Sequence, residues 1–150
     1  MIIDLRNPAD TDAFGKRLAE FLFPGAVVAL IGPLGAGKTY LVRAIAVGLG
    51  IANPNVVNSP TFVLIQEYDA RLPIFHFDAY RLAKEAEFVD LGAHEYFDRG
   101  GVCLIEWADK VPGALPRERL EVRIAITGAE SRRVELVGIG ERYEAILACV

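Results

Sequence analysis

The chain has 150 residues, 53% of them hydrophobic, which is one domain's worth of sequence with enough apolar material for a sizeable core. Its 16 lysines and arginines face 20 aspartates and glutamates, and the formal charge of -4 argues against a protein that grips a free polyanion unaided. Two cysteines make no disulfide framework, no segment approaches the ~20 apolar residues of a membrane span, and the N-terminus lacks the basic and apolar regions of a signal peptide, so a reducing cytoplasm is the expected setting.

Residues 2–5 fit a short edge strand. Residues 10–22 place Phe14, Leu18, Phe21 and Leu22 at helical spacing, with Asp10 or Thr11 as the expected N-cap and Pro24-Gly25 as the stop. Residues 26–31 (Ala-Val-Val-Ala-Leu-Ile) form an unbroken apolar run that suits a buried parallel strand. The run leads into Gly32-Pro33-Leu34-Gly35-Ala36-Gly37-Lys38-Thr39, which fits the phosphate-binding pattern GxxxxGK[ST]. Leu41, Ile45 and Leu49 follow at helical spacing, and Gly48 and Gly50 offer a stop. Strand, glycine loop and helix are what the chemistry needs. Glycines let backbone N–H groups converge on phosphate oxygens, and the helix N-terminus adds partial positive charge. Lys38 then reaches the outer phosphates, and Thr39 offers its hydroxyl to Mg²⁺.

Residues 51–60 read as a polar loop. Residues 61–68 and 73–77 are strand-like runs separated by Asp69-Ala70-Arg71-Leu72, which predicts a hairpin. Residues 82–97 carry short helical patterns broken at Gly92, and residues 102–107 read as another buried strand. Leu120, Val122, Ile124 and Ile126 alternate with Glu121, Arg123, Ala125 and Thr127, the mark of a half-exposed strand. Residues 128–131 turn the chain toward an antiparallel strand over 133–137, and residues 141–148 predict a closing helix. The sum is a single α/β domain over 1–150. It is a three-layer fold of the P-loop nucleotidase type, with a mostly parallel central sheet and antiparallel additions. Ligands of such sheets sit beyond the strand C-termini, which places the glycine loop, Asp78 and Glu106 near one rim.

Residues 102–106 deliver Glu106 at the end of an apolar strand, where a P-loop enzyme needs an acid for Mg²⁺. Ile74-Phe75-His76-Phe77-Asp78 has the same form. One of Asp78 and Glu106 binds metal while the other orients water or a switch loop, and spacing does not decide between them. His76 is read as a structural hydrogen-bonding group, Cys103 as a small buried hydrophobe, and Trp107 as packing or a cover for nucleotide or partner. Asn58-Ser59-Pro60-Thr61 reads on spacing alone as a turn with local caps.

The glycine loop, Ser59-Pro60-Thr61-Phe62, Tyr68, His76-Phe77-Asp78-Ala79-Tyr80-Arg81-Leu82, Glu95-Tyr96 and Leu104-Ile105-Glu106-Trp107 occur in that order. Together they resemble the bacterial TsaE family, the small ATPases of tRNA threonylcarbamoyladenosine biosynthesis, from about Thr11 to the hairpin near Arg133. The resemblance implies ATP/ADP and Mg²⁺ as cofactors and TsaB and TsaD as partners, with tRNA met only through that complex and no membrane involved. It implies nucleotide contacts at Thr11, Gly35, Ala36, Gly37, Lys38, Thr39 and Tyr40, and metal ligation by Thr39 and Glu106. It also implies catalytic roles for Lys38, Asp78 and Glu106, and a switch-like loop carrying Ser59 and Thr61. The family commonly has Asp where Pro33 stands and Thr where Tyr40 stands. Pro33 removes a backbone N–H from the loop, and Tyr40 adds bulk. The alternatives are a small-molecule kinase, for which no lid arginine pair is visible because Arg132 and Arg133 lie in a hairpin, and a nucleotide-sensing module with little hydrolysis.

Overall fold

The structure is a computed structural model, and it describes residues 1–60 and 64–150. Its strands are β1 (Ile2–Leu5), β2 (Val27–Ile31), β3 (Ile65–Tyr68), β4 (Ile74–Asp78), β5 (Val102–Glu106), β6 (Arg119–Ile126) and β7 (Arg132–Ile139). The helices are α1 (Pro8–Ala19), α2 (Lys38–Gly48), α3 (Glu85–Asp90), α4 (Ala93–Phe97) and α5 (Glu141–Leu147). One sheet runs β1-β7-β6-β2-β5-β4-β3. Its centre, β6-β2-β5-β4, is parallel, and β3 at one end and β7 and β1 at the other pair antiparallel.

The central strands are apolar on both faces because both faces are covered. Val28, Leu30, Leu104 and Leu120 pack with Phe14 and Leu18 of α1 and Leu41 and Ile45 of α2. Val27, Ala29, Phe75, Phe77 and Ile105 pack on the other face with Phe88 of α3 and Ala93 of α4. The result is the expected three layers. On the α2 face, α1 and α2 approach closely through small residues. A Cβ built on Gly48 would lie 2.6 Å from the Ala19 Cβ and 2.9 Å from the Lys16 Cα, and one on Gly15 would lie 2.4 Å from the Ala44 Cβ.

Two expectations shift. The first helix begins at Pro8 rather than Asp10, and its N-cap is Asn7, whose Oδ1 accepts the Asp10 N–H at 2.9 Å. Asn followed by Pro is the stronger start signal, since the Pro ring pre-sets φ at the first helical position. The helix ends at Ala19, and Leu22 packs into the core from the turn beyond it. In β6 the alternation holds for Leu120, Val122 and Ile124, but Ile126 is 48% exposed and Glu121 only 6%. Glu121 is tolerated there because Arg119 and Arg123 reach its two carboxylate oxygens at 2.8 and 2.7 Å. Burial pushes the Glu121 carboxyl up, but the hydrogen bonds from Arg123 and Arg119 outweigh it and leave it below the usual value of 4.5. The hairpin of residues 61–68 and 73–77 forms as β3 and β4, and residues 61–63 lie outside those described.

Candidate active site

The loop between β2 and α2 turns on Gly35 and Gly37, with φ of 80° and 97°, a region open to glycine without cost. It opens at the C-terminal rim of the sheet into a cavity of about 450 Å³, lined by Lys38, Thr39, Ser59, Asp78, Glu106 and Trp107 among others. Of the residues expected at the site, Gly35, Gly37, Lys38, Thr39, Tyr40, Ser59, Asp78 and Glu106 line this cavity, and Thr11 and Ala36 do not. Thr61 lies outside the described residues.

Lys38 folds over its own loop. Its Nζ donates to the carbonyls of Gly32 at 2.6 Å and Pro33 at 2.9 Å, and stands 3.9 Å from the centre of the Trp107 ring. Pro33, which cannot donate, therefore serves as an acceptor. Burial lowers the Lys38 ammonium below its usual 10.5, against the attraction of Glu106, Asp109 and Asp78. Trp107 takes a left-handed backbone, φ 58°, which costs a large side chain about 1–3 kcal/mol. The turn carries the indole over Lys38 and against Tyr80, with ring centroids 4.8 Å apart.

Asp78 and Glu106 are register partners on adjacent strands, 4% and 3% exposed. Thr39 Oγ1 sits 2.8 and 2.9 Å from the two Glu106 oxygens. Asp78 Oδ2 accepts the Ser59 hydroxyl at 2.6 Å, and its Oδ1 accepts the Tyr80 N–H at 2.9 Å. These side chains offer oxygen donors only, two carboxylates and two hydroxyls. That set fits Mg²⁺, which takes one or two protein carboxylates and completes its shell with phosphate and water. Thr39 and Glu106 already face each other, and Asp78 is engaged with Ser59.

Behind Glu106 lies His76, fully buried. Its Nε2 is 2.5 Å from Glu106 Oε2, and its Nδ1 is 3.0 Å from the Tyr68 hydroxyl, which also meets Gln66 Oε1 at 2.7 Å. The structural hydrogen bond expected of His76 is present, and it lands on a site residue.

Thr11 and Tyr40 line a second, apolar recess of about 160 Å³ with Leu5, Ala36, Gly37 and Arg132. The Tyr40 hydroxyl donates to Asp12 Oδ2 at 3.1 Å, so the extra bulk is tied to α1. Arg132 is the neighbour of the glycine loop that sequence reasoning missed. Its Nε donates to the Ala36 carbonyl at 2.9 Å and its Nη2 to the Gly35 carbonyl at 3.2 Å, while Arg133 pairs with Asp4 at the sheet edge. Nothing in the local sequence distinguishes the two arginines beyond their opposite directions along a strand.

The family model described as "Threonylcarbamoyl adenosine biosynthesis protein TsaE" matches residues 5–134. A "tRNA threonylcarbamoyladenosine biosynthesis protein TsaE" of Bacillus subtilis is 47% identical over 141 residues, covering 93% of this chain and 87% of its own. A protein of the same name from Treponema pallidum is 39% identical over 129 residues, covering 86% and 94%. A crystal structure of Bacillus subtilis YdiB superposes with a TM-score of 0.85 at 40% identity, covering 99% of this chain and 91% of that one.

Proposed function

The chain belongs to the TsaE family of tRNA threonylcarbamoyladenosine biosynthesis, and from that premise we propose that it is a Mg²⁺-dependent ATPase working with TsaB and TsaD partners. The observation that carries this reading is the convergence of Lys38, Thr39, Glu106 and Asp78 on one cavity at the glycine loop. In the proposed mechanism the loop amides and Lys38 receive the β- and γ-phosphates. Lys38 exchanges the Gly32 and Pro33 carbonyls for phosphate oxygens and offsets the charge that develops there. Thr39 and Glu106 would hold Mg²⁺, which supplies charge neutralisation across the phosphates when bound. Asp78 orients water or couples the site to the loop through Ser59, and the 2.6 Å hydrogen bond to Ser59 supports the coupling. The apolar recess beside Gly37, with Thr11 and Tyr40 on its walls, suits a nucleobase.

With a net charge of -4 the protein meets tRNA through the complex rather than directly. Among the described residues no helix is long and apolar enough to cross a membrane, and a cytoplasmic setting is part of the same proposal. The test is phosphate release from ATP with no acceptor added, by the protein alone and with TsaB and TsaD. Release that rises with the partners, and disappears in a folded Lys38→Ala, is the expected result. Release only with a small-molecule acceptor identifies a kinase instead. Wild-type hydrolysis by Lys38→Ala removes the reading.

A further inference from the structure

We propose that His76 is a positioning residue for the site, aiming the Glu106 carboxylate at Thr39 and the metal position, and that Tyr68 holds the imidazole in the orientation this requires. The inference rests on the reading of Glu106 as a metal ligand.

Glu106 has two oxygens and two kinds of neighbour. On the solvent side is Thr39, on the helix that follows the glycine loop. On the core side is His76, whose Nε2 meets Oε2. A carboxylate oxygen only accepts, so Nε2 carries the hydrogen of that contact. The bond anchors Oε2 and fixes the plane of the carboxylate, as a hydrogen bond from behind does for many metal-bound carboxylates.

The geometry has no simpler cause. β4 alternates Phe75 and Phe77 toward one core and Ile74 toward the other, and an aliphatic residue at position 76 would satisfy packing alone. His76 instead lies opposite Leu104 in the strand register and reaches along the sheet to Glu106, two residues further on in β5. A fully buried imidazole is costly unless both nitrogens are satisfied. Tyr68 on β3 satisfies the second, 3.0 Å from Nδ1. The ring is therefore gripped at both ends, and neither grip involves a residue that lines the phosphate cavity except Glu106 itself.

Tyr68 extends the chain of contacts. Burial pushes its hydroxyl up to about 12. The neighbouring acid, Asp78, is held by Ser59. Each strand-end acid thus has its own hydrogen-bonding partner, Ser59 for Asp78 and His76, backed by Tyr68, for Glu106.

The experiment measures Mn²⁺ affinity by electron paramagnetic resonance in the presence of saturating ADP, and ADP affinity without metal by calorimetry. The variants are Tyr68→Phe, His76→Gln, His76→Leu and Glu106→Gln. Loss of a hydrogen-bond partner behind a metal ligand weakens metal binding by roughly 10-fold or more. Tyr68→Phe and His76→Leu are expected to weaken Mn²⁺ about tenfold with metal-free ADP affinity unchanged. His76→Gln, which keeps an N–H donor, is expected to recover part of the loss. Tyr68→Phe removes one oxygen and preserves the ring, so it remains informative if His76→Leu fails to fold. Wild-type Mn²⁺ affinity in Tyr68→Phe and His76→Gln, with loss in Glu106→Gln, overturns the positioning role while leaving the metal assignment intact. Equal loss of metal-free ADP and Mn²⁺ binding in Tyr68→Phe also overturns it, because that is the signature of a general structural defect. Unchanged Mn²⁺ affinity in Glu106→Gln overturns the metal assignment itself, and this inference with it.

Discussion

Arg132 shows how a residue far away in sequence can complete the glycine loop. Its guanidinium holds the Gly35 and Ala36 carbonyls from the start of β7, which ties the glycine loop to the far end of the sheet. Arg132→Ala leaves a loop with the same residues and less order. A charged donor to a carbonyl is worth about 1.5–3 kcal/mol, so ADP affinity is expected to fall roughly tenfold, while Arg133→Ala, which breaks only an exposed pair with Asp4, leaves it unchanged. Calorimetry on the two variants checks this, and equal effects would remove the distinction. The glycine loop itself was legible because its eight residues are contiguous and each has a local duty. Arg132 was not, because 96 positions separate it from Ala36 and only the β6–β7 hairpin brings them together. The bond from His76 to Glu106 was hidden for the same reason. It depends on a β4–β5 register that no local pattern encodes.

Among the elements, α2 links fold to site. It begins at Lys38 and Thr39 and is seated on α1 through Gly48 and Gly15. Gly48→Ala places a methyl against the Ala19 Cβ and the backbone of Lys16, so the helices must part. Overpacking of this kind costs about 1–3 kcal/mol. The expected result is a lower urea midpoint together with weaker ADP binding, since Thr39 moves with its helix. Normal binding in the destabilised variant would show that the loop is insulated from the helix behind it. Strand β6 makes a separate prediction. The Glu121 pKa is lowered by folding, so its contribution is present above 4.5 and is lost as the pH falls through its folded value. Glu121→Gln is expected to cost about 1–2 kcal/mol near neutrality, and the gap from wild type should close under acid conditions. Denaturant unfolding at both pH values checks the sign. The alternation of β6 was legible, but the burial of Glu121 was not, because it depends on arginines at positions 119 and 123 folding back over their own strand.

At the scale of the whole molecule, the parallel centre gathers the loop, both strand-end acids and Trp107 at one rim, while the antiparallel strands extend the sheet at its two ends. That division was readable from apolar runs ending in acids, because a parallel strand must deliver its last residue to the same side as its neighbours. The position of Trp107 has an optical consequence. It is the only tryptophan in the chain, and its indole lies on the ammonium of Lys38. When phosphate draws that ammonium away, the sole indole chromophore loses an adjacent cation and its emission should change in intensity and wavelength. Titration with ADP is expected to give a saturable fluorescence signal whose midpoint agrees with calorimetry. Constant emission through a saturating titration would mean that the ammonium and the indole move as one. The protein thus carries its own spectroscopic label at the proposed nucleotide site, and no dye need be attached to follow it.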